Sequence, residues 1–192
     1  MLGPEIGRFD LMGLPTGGMI AQQLALAHPD AVRRLALVVT GARLAPSGQR
    51  ICLRWLELAR ARRWRELTGD MAAEVVDGPV LRGLARTIMS LTGTAPTVTE
   101  AADFVTTTSA VLAVLAVLAV LAVLAVLAVL AVPALVLGAS VDPFFPADAL
   151  AATAAAIPDA ELRIFPGSGH GGPKQRSGPM KEAVAAFLGV DR

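Results

Sequence analysis

Two kinds of apolar pattern alternate along the chain. Phe9-Asp-Leu-Met-Gly13 reads as a short strand that runs into a glycine turn. Over residues 17–28, Ile20, Leu24 and Leu26 or Ala27 recur at helical spacing, and Pro29 stops the helix. Leu35-Ala-Leu-Val-Val-Thr40 is apolar without alternation, the pattern of a strand covered on both faces, as in a parallel sheet. The first 41 residues therefore predict strand–turn–helix–strand. Residues 44–109 predict helices over about 47–66, 68–76, 79–92 and 97–109 and no strand. Thr97 and Glu100 form a capping box at the start of the last. Farther on, Ala134–Gly138 predicts a buried strand, 146–157 a helix, Ala160–Phe165 a strand and 178–189 a final helix. Strands alternating with helices predict an α/β fold: a parallel sheet with helices on both faces and an inserted helical cap. The division expected is 1–43 and 133–192 for the two parts of the core, 44–109 for the cap, and 110–132 for a repeat helix.

Composition changes this picture in one place. Of the 192 residues 54% are apolar, and the excess comes from seven Val-Leu-Ala triplets spanning Val111–Ala131. Outside the tract the composition is that of ordinary globular domains, about 45–50% apolar. Lys and Arg number 17 against 16 Asp and Glu, a net charge of +1, which argues against a nucleic-acid binder. A single cysteine, Cys52, excludes an internal disulfide and a cysteine-based zinc cluster. The first ten residues lack a basic segment followed by an apolar one, so a cytoplasmic location is the expectation.

Chemistry concentrates in three pieces. Gly13-Leu-Pro-Thr-Gly17-Gly18, between a strand and a helix, has the spacing of the nucleophile elbow G-x-S-x-G, with Pro15 at its centre. Pro133-Ala-Leu-Val-Leu-Gly-Ala-Ser-Val-Asp142 places an acid after a strand, and Phe165-Pro-Gly-Ser-Gly-His170-Gly places a histidine after the next one. In these pieces, and in their order of elbow, acid and histidine, the chain resembles the α/β-hydrolase family, in particular a bacterial esterase-like branch. The resemblance implies a partial α/β-hydrolase fold, truncated at its N-terminal side relative to the family. It implies ester or acyl hydrolysis by a Ser-His-Asp triad without a cofactor, on a small-molecule ester or acyl substrate. By position Asp142 is the acid, His170 the base and Thr16 an oxyanion-hole amide, while Pro15 stands where the serine belongs.

Proline carries no attacking atom and fixes φ near about −65°, whereas an elbow nucleophile is held in a strained conformation. The expectation is thus a pseudoenzyme with a remnant of the catalytic triad. The alternatives are a non-catalytic binding protein and a membrane-inserted fragment. The latter rests on Ala110–Val132, 23 apolar residues in a row. As a helix these would span roughly 34 Å, enough for a bilayer core of about 30 Å. The flanks disfavour it. Asp103 and Thr106–Ser109 precede the tract, Pro133 and a strand follow it, and the nearest basic residues are Arg86 and Arg163.

Other features read blandly. Gly167-Ser-Gly-His-Gly-Gly172 matches G-x-G-x-x-G, but a dinucleotide site would need a further βαβ unit and an acid about 20 residues on. Arg54, Arg60, Arg62, Arg63 and Arg65 read as the solvated side of cap helices, with Cys52, Trp55, Leu56 and Ala59 turned inward. His28 reads as a surface residue at a helix C-terminus. Two histidines 142 positions apart give no metal-ligand pattern, so no metal is expected.

Overall fold

The computed structural model describes residues 7–117, 127–172 and 177–189. Four strands, β1 (Phe9–Gly13), β2 (Val32–Val38), β3 (Ala134–Ala139) and β4 (Ala160–Phe165), form one sheet in the order β1-β2-β3-β4. Every pairing is parallel, with Leu35 opposite Ala134 and Leu135 opposite Glu161. Parallel strands need crossovers, and here helices supply them. α1 (Pro15–Ala27) joins β1 to β2, and α6 (Ala147–Ala156) joins β3 to β4. α7 (Ser177–Leu188) follows β4. Between β2 and β3 lie α2 (Pro46–Arg60), α3 (Trp64–Glu74), α4 (Pro79–Thr92) and α5 (Val98–Val117).

The unbroken apolar runs have the cause inferred for them. All six residues of β3 are buried, and their alternation feeds two cores. Ala134 and Val136 join Leu35, Leu37, Ala21, Ala25 and Leu150 on one face. Leu135 and Leu137 join Val38, Met180 and Ala183 on the other. α7 is tied to its face at its end as well, where Arg34 of β2 donates from Nη1 to the Leu188 carbonyl at 2.6 Å.

Several boundaries differ from the sequence pattern. β2 starts at Val32 rather than Leu35, because Arg33 and Arg34 lie in the strand; Arg33 forms an ion pair with Asp10 of β1. The strand ends at Val38, since Val39 turns to φ 47°. The helix expected over 47–66 is two helices. Arg62 takes φ 56°, its N–H donates to the Ala59 carbonyl at 3.0 Å and that of Arg63 to Leu58 at 2.8 Å. That bond pair is a Schellman end, which glycine usually supplies. The capping box is present: the Glu100 carboxylate accepts the Thr97 N–H at 2.7 Å, and the Thr97 hydroxyl accepts the Glu100 N–H at 3.3 Å.

α5 runs across residue 110 into the triplet repeat as far as Val117. Residues 118–126, the middle of the tract on which the repeat-helix and membrane expectations fall, lie outside the described residues. Among the described residues no helix is long and apolar enough to cross a membrane. Beyond them Leu127, Leu130 and Val132 are buried in the core on the α1 and α6 face.

Leu137 is fully buried between the sheet and α7. Leu137→Ala should lower unfolding free energy by about 2–5 kcal/mol in denaturant titration, the range for leucine truncation in a packed core.

Candidate active site

Because the strands are parallel, the segments that follow β1, β3 and β4 leave the sheet at one edge. Open α/β sheets bind ligands at that carboxyl edge. Asp142 lies three residues beyond β3, and His170 five beyond β4.

The Asp142 side chain has no solvent exposure, and a carboxyl group so placed needs internal donors. It has three. Its Oδ1 accepts the backbone N–H of Phe144 at 2.8 Å and of Phe145 at 3.2 Å. Its Oδ2 lies 2.7 Å from His170 Nδ1. With Asp142 accepting, Nδ1 carries the shared proton. The His170 ring packs on Phe144 (centroids 4.4 Å apart, tilted) and stacks at 6.4 Å on Phe145. The residues that orient the carboxylate thus also hold the imidazole. An aspartate that accepts from the second and third amides after it is a local turn pattern, and Asp142-Pro-Phe-Phe145 permits it.

The turn after β1 is less strained than an elbow. Leu14 is extended (φ −104°, ψ 159°), and Pro15 is the first residue of α1, where its missing N–H would have had no intrahelical acceptor. Among the described residues the non-glycine positions at positive φ are Val39 and Arg62, so Pro15 sits in ordinary helical backbone. α1 accordingly starts two residues before the position expected. Thr16 is in its exposed first turn, where amides lack helical acceptors.

The glycines of the turn are not equivalent. A Cβ on Gly13 would lie 2.4 Å from the Gly18 Cα, and one on Gly18 would lie 2.1 Å from Thr40 Cγ2. Gly17, the second glycine of the motif spacing, has open space around it. The close approach of helix to strand therefore rests on Gly13 and Gly18.

Cap segments close on both loops of the pair. Ser47 Oγ of α2 donates to the Pro143 carbonyl at 2.5 Å, and the Ala45 N–H to that of Phe144 at 2.8 Å. The Gly169 N–H donates to Asp77 Oδ1, between α3 and α4, at 2.8 Å. Sequence reasoning missed Asp77, which lies 92 positions from its partner. Within the cap, Asp70 of α3 is buried and pairs with Arg54 of α2 at 2.5 Å and Arg86 of α4 at 3.0 Å. Grooves of about 570 and 540 Å³ run beside α3 and α5; neither is lined by Pro15, Asp142 or His170.

The remaining candidates lie as follows. His28 is exposed at the C-terminus of α1. Gly167 takes φ 68° in the turn before His170. Cys52 is a free, buried thiol, and burial pushes its pKa up from 9.0 to about 11. Among the described residues no group of three or more His, Cys, Asp or Glu is placed to hold a metal ion.

Residues 6–175 match the sequence model of the alpha/beta hydrolase fold. The chain belongs to the α/β-hydrolase family. No curated protein matches it. Solved structures similar in fold include the enol-lactonase from Burkholderia xenovorans LB400 (23% identity, TM-score 0.72), which covers 96% of this chain and 66% of its own. MGS-M2, an α/β hydrolase from a Medee basin deep-sea metagenome library, gives 18% identity and TM-score 0.74, covering 98% of this chain and 67% of its own. The 2-hydroxy-6-oxo-6-phenylhexa-2,4-dienoate hydrolase from Rhodococcus sp. strain RHA1 gives 17% and 0.72, covering 96% and 65%. The chain thus spans about two thirds of the length of these proteins.

Two measurements test the geometry. Gly17→Ala should leave thermal stability unchanged or raise it by up to about 1 kcal/mol, as alanine does in helices, while Gly13→Ala should lower it by about 1–3 kcal/mol or more. A thiol reagent at pH 8 should modify Cys52 only after unfolding. The folded state keeps the thiol proton to higher pH than the unfolded chain, so this group's contribution to stability falls as pH rises from 9.0 to about 11.

Proposed function

We propose that this chain carries the acid–base half of an acyl-hydrolase site, Asp142 and His170, without the nucleophile, and does not turn over esters through an acyl-enzyme. In family chemistry a serine oxygen attacks the acyl carbon, the histidine takes its proton, and the aspartate orients the imidazolium. Here His170 and Asp142 stand 2.7 Å apart. The residue at the attacking position is Pro15, which has neither hydroxyl nor thiol. The Thr16 N–H takes the place of one oxyanion-hole donor.

The single observation behind this reading is Pro15 as the first residue of α1, in relaxed helical backbone. Removing a triad nucleophile costs on the order of 10⁶ in kcat. What remains is a non-catalytic binding scaffold for small acyl compounds. Two proteins similar in fold are named an enol-lactonase and a 2-hydroxy-6-oxo-6-phenylhexa-2,4-dienoate hydrolase, which supports the ligand class.

A fluorophosphonate probe followed by intact-mass analysis tests the proposal. The chain should gain no adduct, and its hydrolysis of a p-nitrophenyl ester should equal that of His170→Ala. An adduct on the chain itself, or turnover lost on His170→Ala, would falsify the reading. Pro15→Ser should gain slow labelling that depends on His170, at a loss of about 0.5–1 kcal/mol in stability as the chain regains backbone freedom in the unfolded state.

A further inference from the structure

We infer that Asp77 is a positioning residue for His170, through which the α3–α4 hairpin of the cap governs the placement of the imidazole. The inference deepens the proposed acid–base reading, but it stands on contacts made whether or not the chain turns over substrate.

The His170 loop is held from two sides. On the sheet side, the Val141 N–H donates to the Ser168 carbonyl at 3.0 Å and the Gly167 N–H to Ser140 Oγ at 2.9 Å. Both bonds tie the loop to the segment that carries Asp142. On the cap side the Gly169 N–H reaches Asp77 Oδ1 at 2.8 Å. The cap backbone also presses on the other neighbour of His170: a Cβ on Gly171 would lie 1.8 Å from the Val75 carbonyl oxygen, and one on Gly169 2.7 Å from Asp77 Oδ1. Residue 171 must therefore be glycine for the hairpin backbone to sit as it does, and a side chain at 169 would displace the Asp77 carboxylate from its amide.

The connection that carries Asp77 is itself fixed. Arg82 Nε of α4 donates to the Val76 carbonyl at 3.1 Å, and Gly78 at φ 86° turns the chain into α4. Its position follows that of α3 and α4, which Arg86 and Asp70 join at 3.0 Å. Moving the hairpin pulls on the Gly169 amide, one bond from the residue whose Nδ1 must meet Asp142. The tie is a hydrogen bond to a carboxylate, the stronger class of such bonds.

Amide hydrogen exchange and NMR of the full chain test this. In Asp77→Ala, exchange at Gly169 should rise about ten- to a hundred-fold, the effect of losing one charge-assisted hydrogen bond. The His170 Nδ1 proton signal should vanish into solvent exchange, while β3 amides keep their protection. Asp77→Asn, which retains an oxygen acceptor, should restore both readings to within about threefold. If Asp77→Ala fails to fold, Gly171→Ala, whose methyl displaces Val75 from the other side, should give the same loosening of Gly169. An unchanged Gly169 amide and His170 signal in either variant overturns the inference. So does exchange that rises equally in β3, which would mean a merely structural role. Failure of the probe experiment on Pro15 leaves these readings untouched, so the two proposals fail separately.

Discussion

A carboxylate removed from water has to find its donors inside the fold, and at Asp142 that requirement organises the carboxyl edge of the sheet. Two donors come from the residues just after it, and the third is an imidazole brought from beyond the next strand. The first two fix the side chain locally, so the third bond has a defined direction. His170 then inherits its orientation from Asp142 and its packing from Phe144 and Phe145. The pair is only as rigid as β3, and β3 is the strand whose residues are all buried, between helices on both faces.

The cap is clasped to the core at the two loops that bear the pair. α2 begins on the Asp142 loop, through Ser47 and through the close approach of Gly48 to the Phe144 Cα. The α3–α4 connection lies on the His170 loop. Asp70, buried between Arg54 and Arg86, binds the three cap helices to one another. A single carboxylate thus keeps two separate grips in step. Only the Asp70 end is buried; Arg54 and Arg86 reach it from the surface, so the network differs from the Arg63–Glu66 pair in having its carboxylate out of water.

Much of this was legible in the sequence, for physical reasons. Strand β3 announces itself because a doubly covered strand has no polar face to confuse the pattern. β4 was legible to the residue because Pro166-Gly167 closes it. The start of β2 was hidden, because Arg33 and Arg34 stand in the strand and satisfy their charges outside it, on Asp10 and on the end of α7. The break between α2 and α3 was hidden because arginine, not glycine, occupies the left-handed position. The order of turn, acid and histidine could be read; that Gly18 rather than Gly17 carries the close packing could not, since the obstacle is Thr40 from the next strand. The Asp77 contact left no local trace at all, joining positions that only the folded cap brings together.

Pro15 carries a consequence beyond chemistry. The imino acid suits the first position of a helix: its ring presets the torsion, and it has no amide left to satisfy. An elbow that must hold a strained residue has no such ease, so activity and comfort in the backbone pull in opposite directions at this position. Once the turn has relaxed into helix, reversion would have to rebuild strain as well as restore an oxygen. On the proposed reading, the backbone at this position rests at lower tension than an elbow that holds a strained nucleophile.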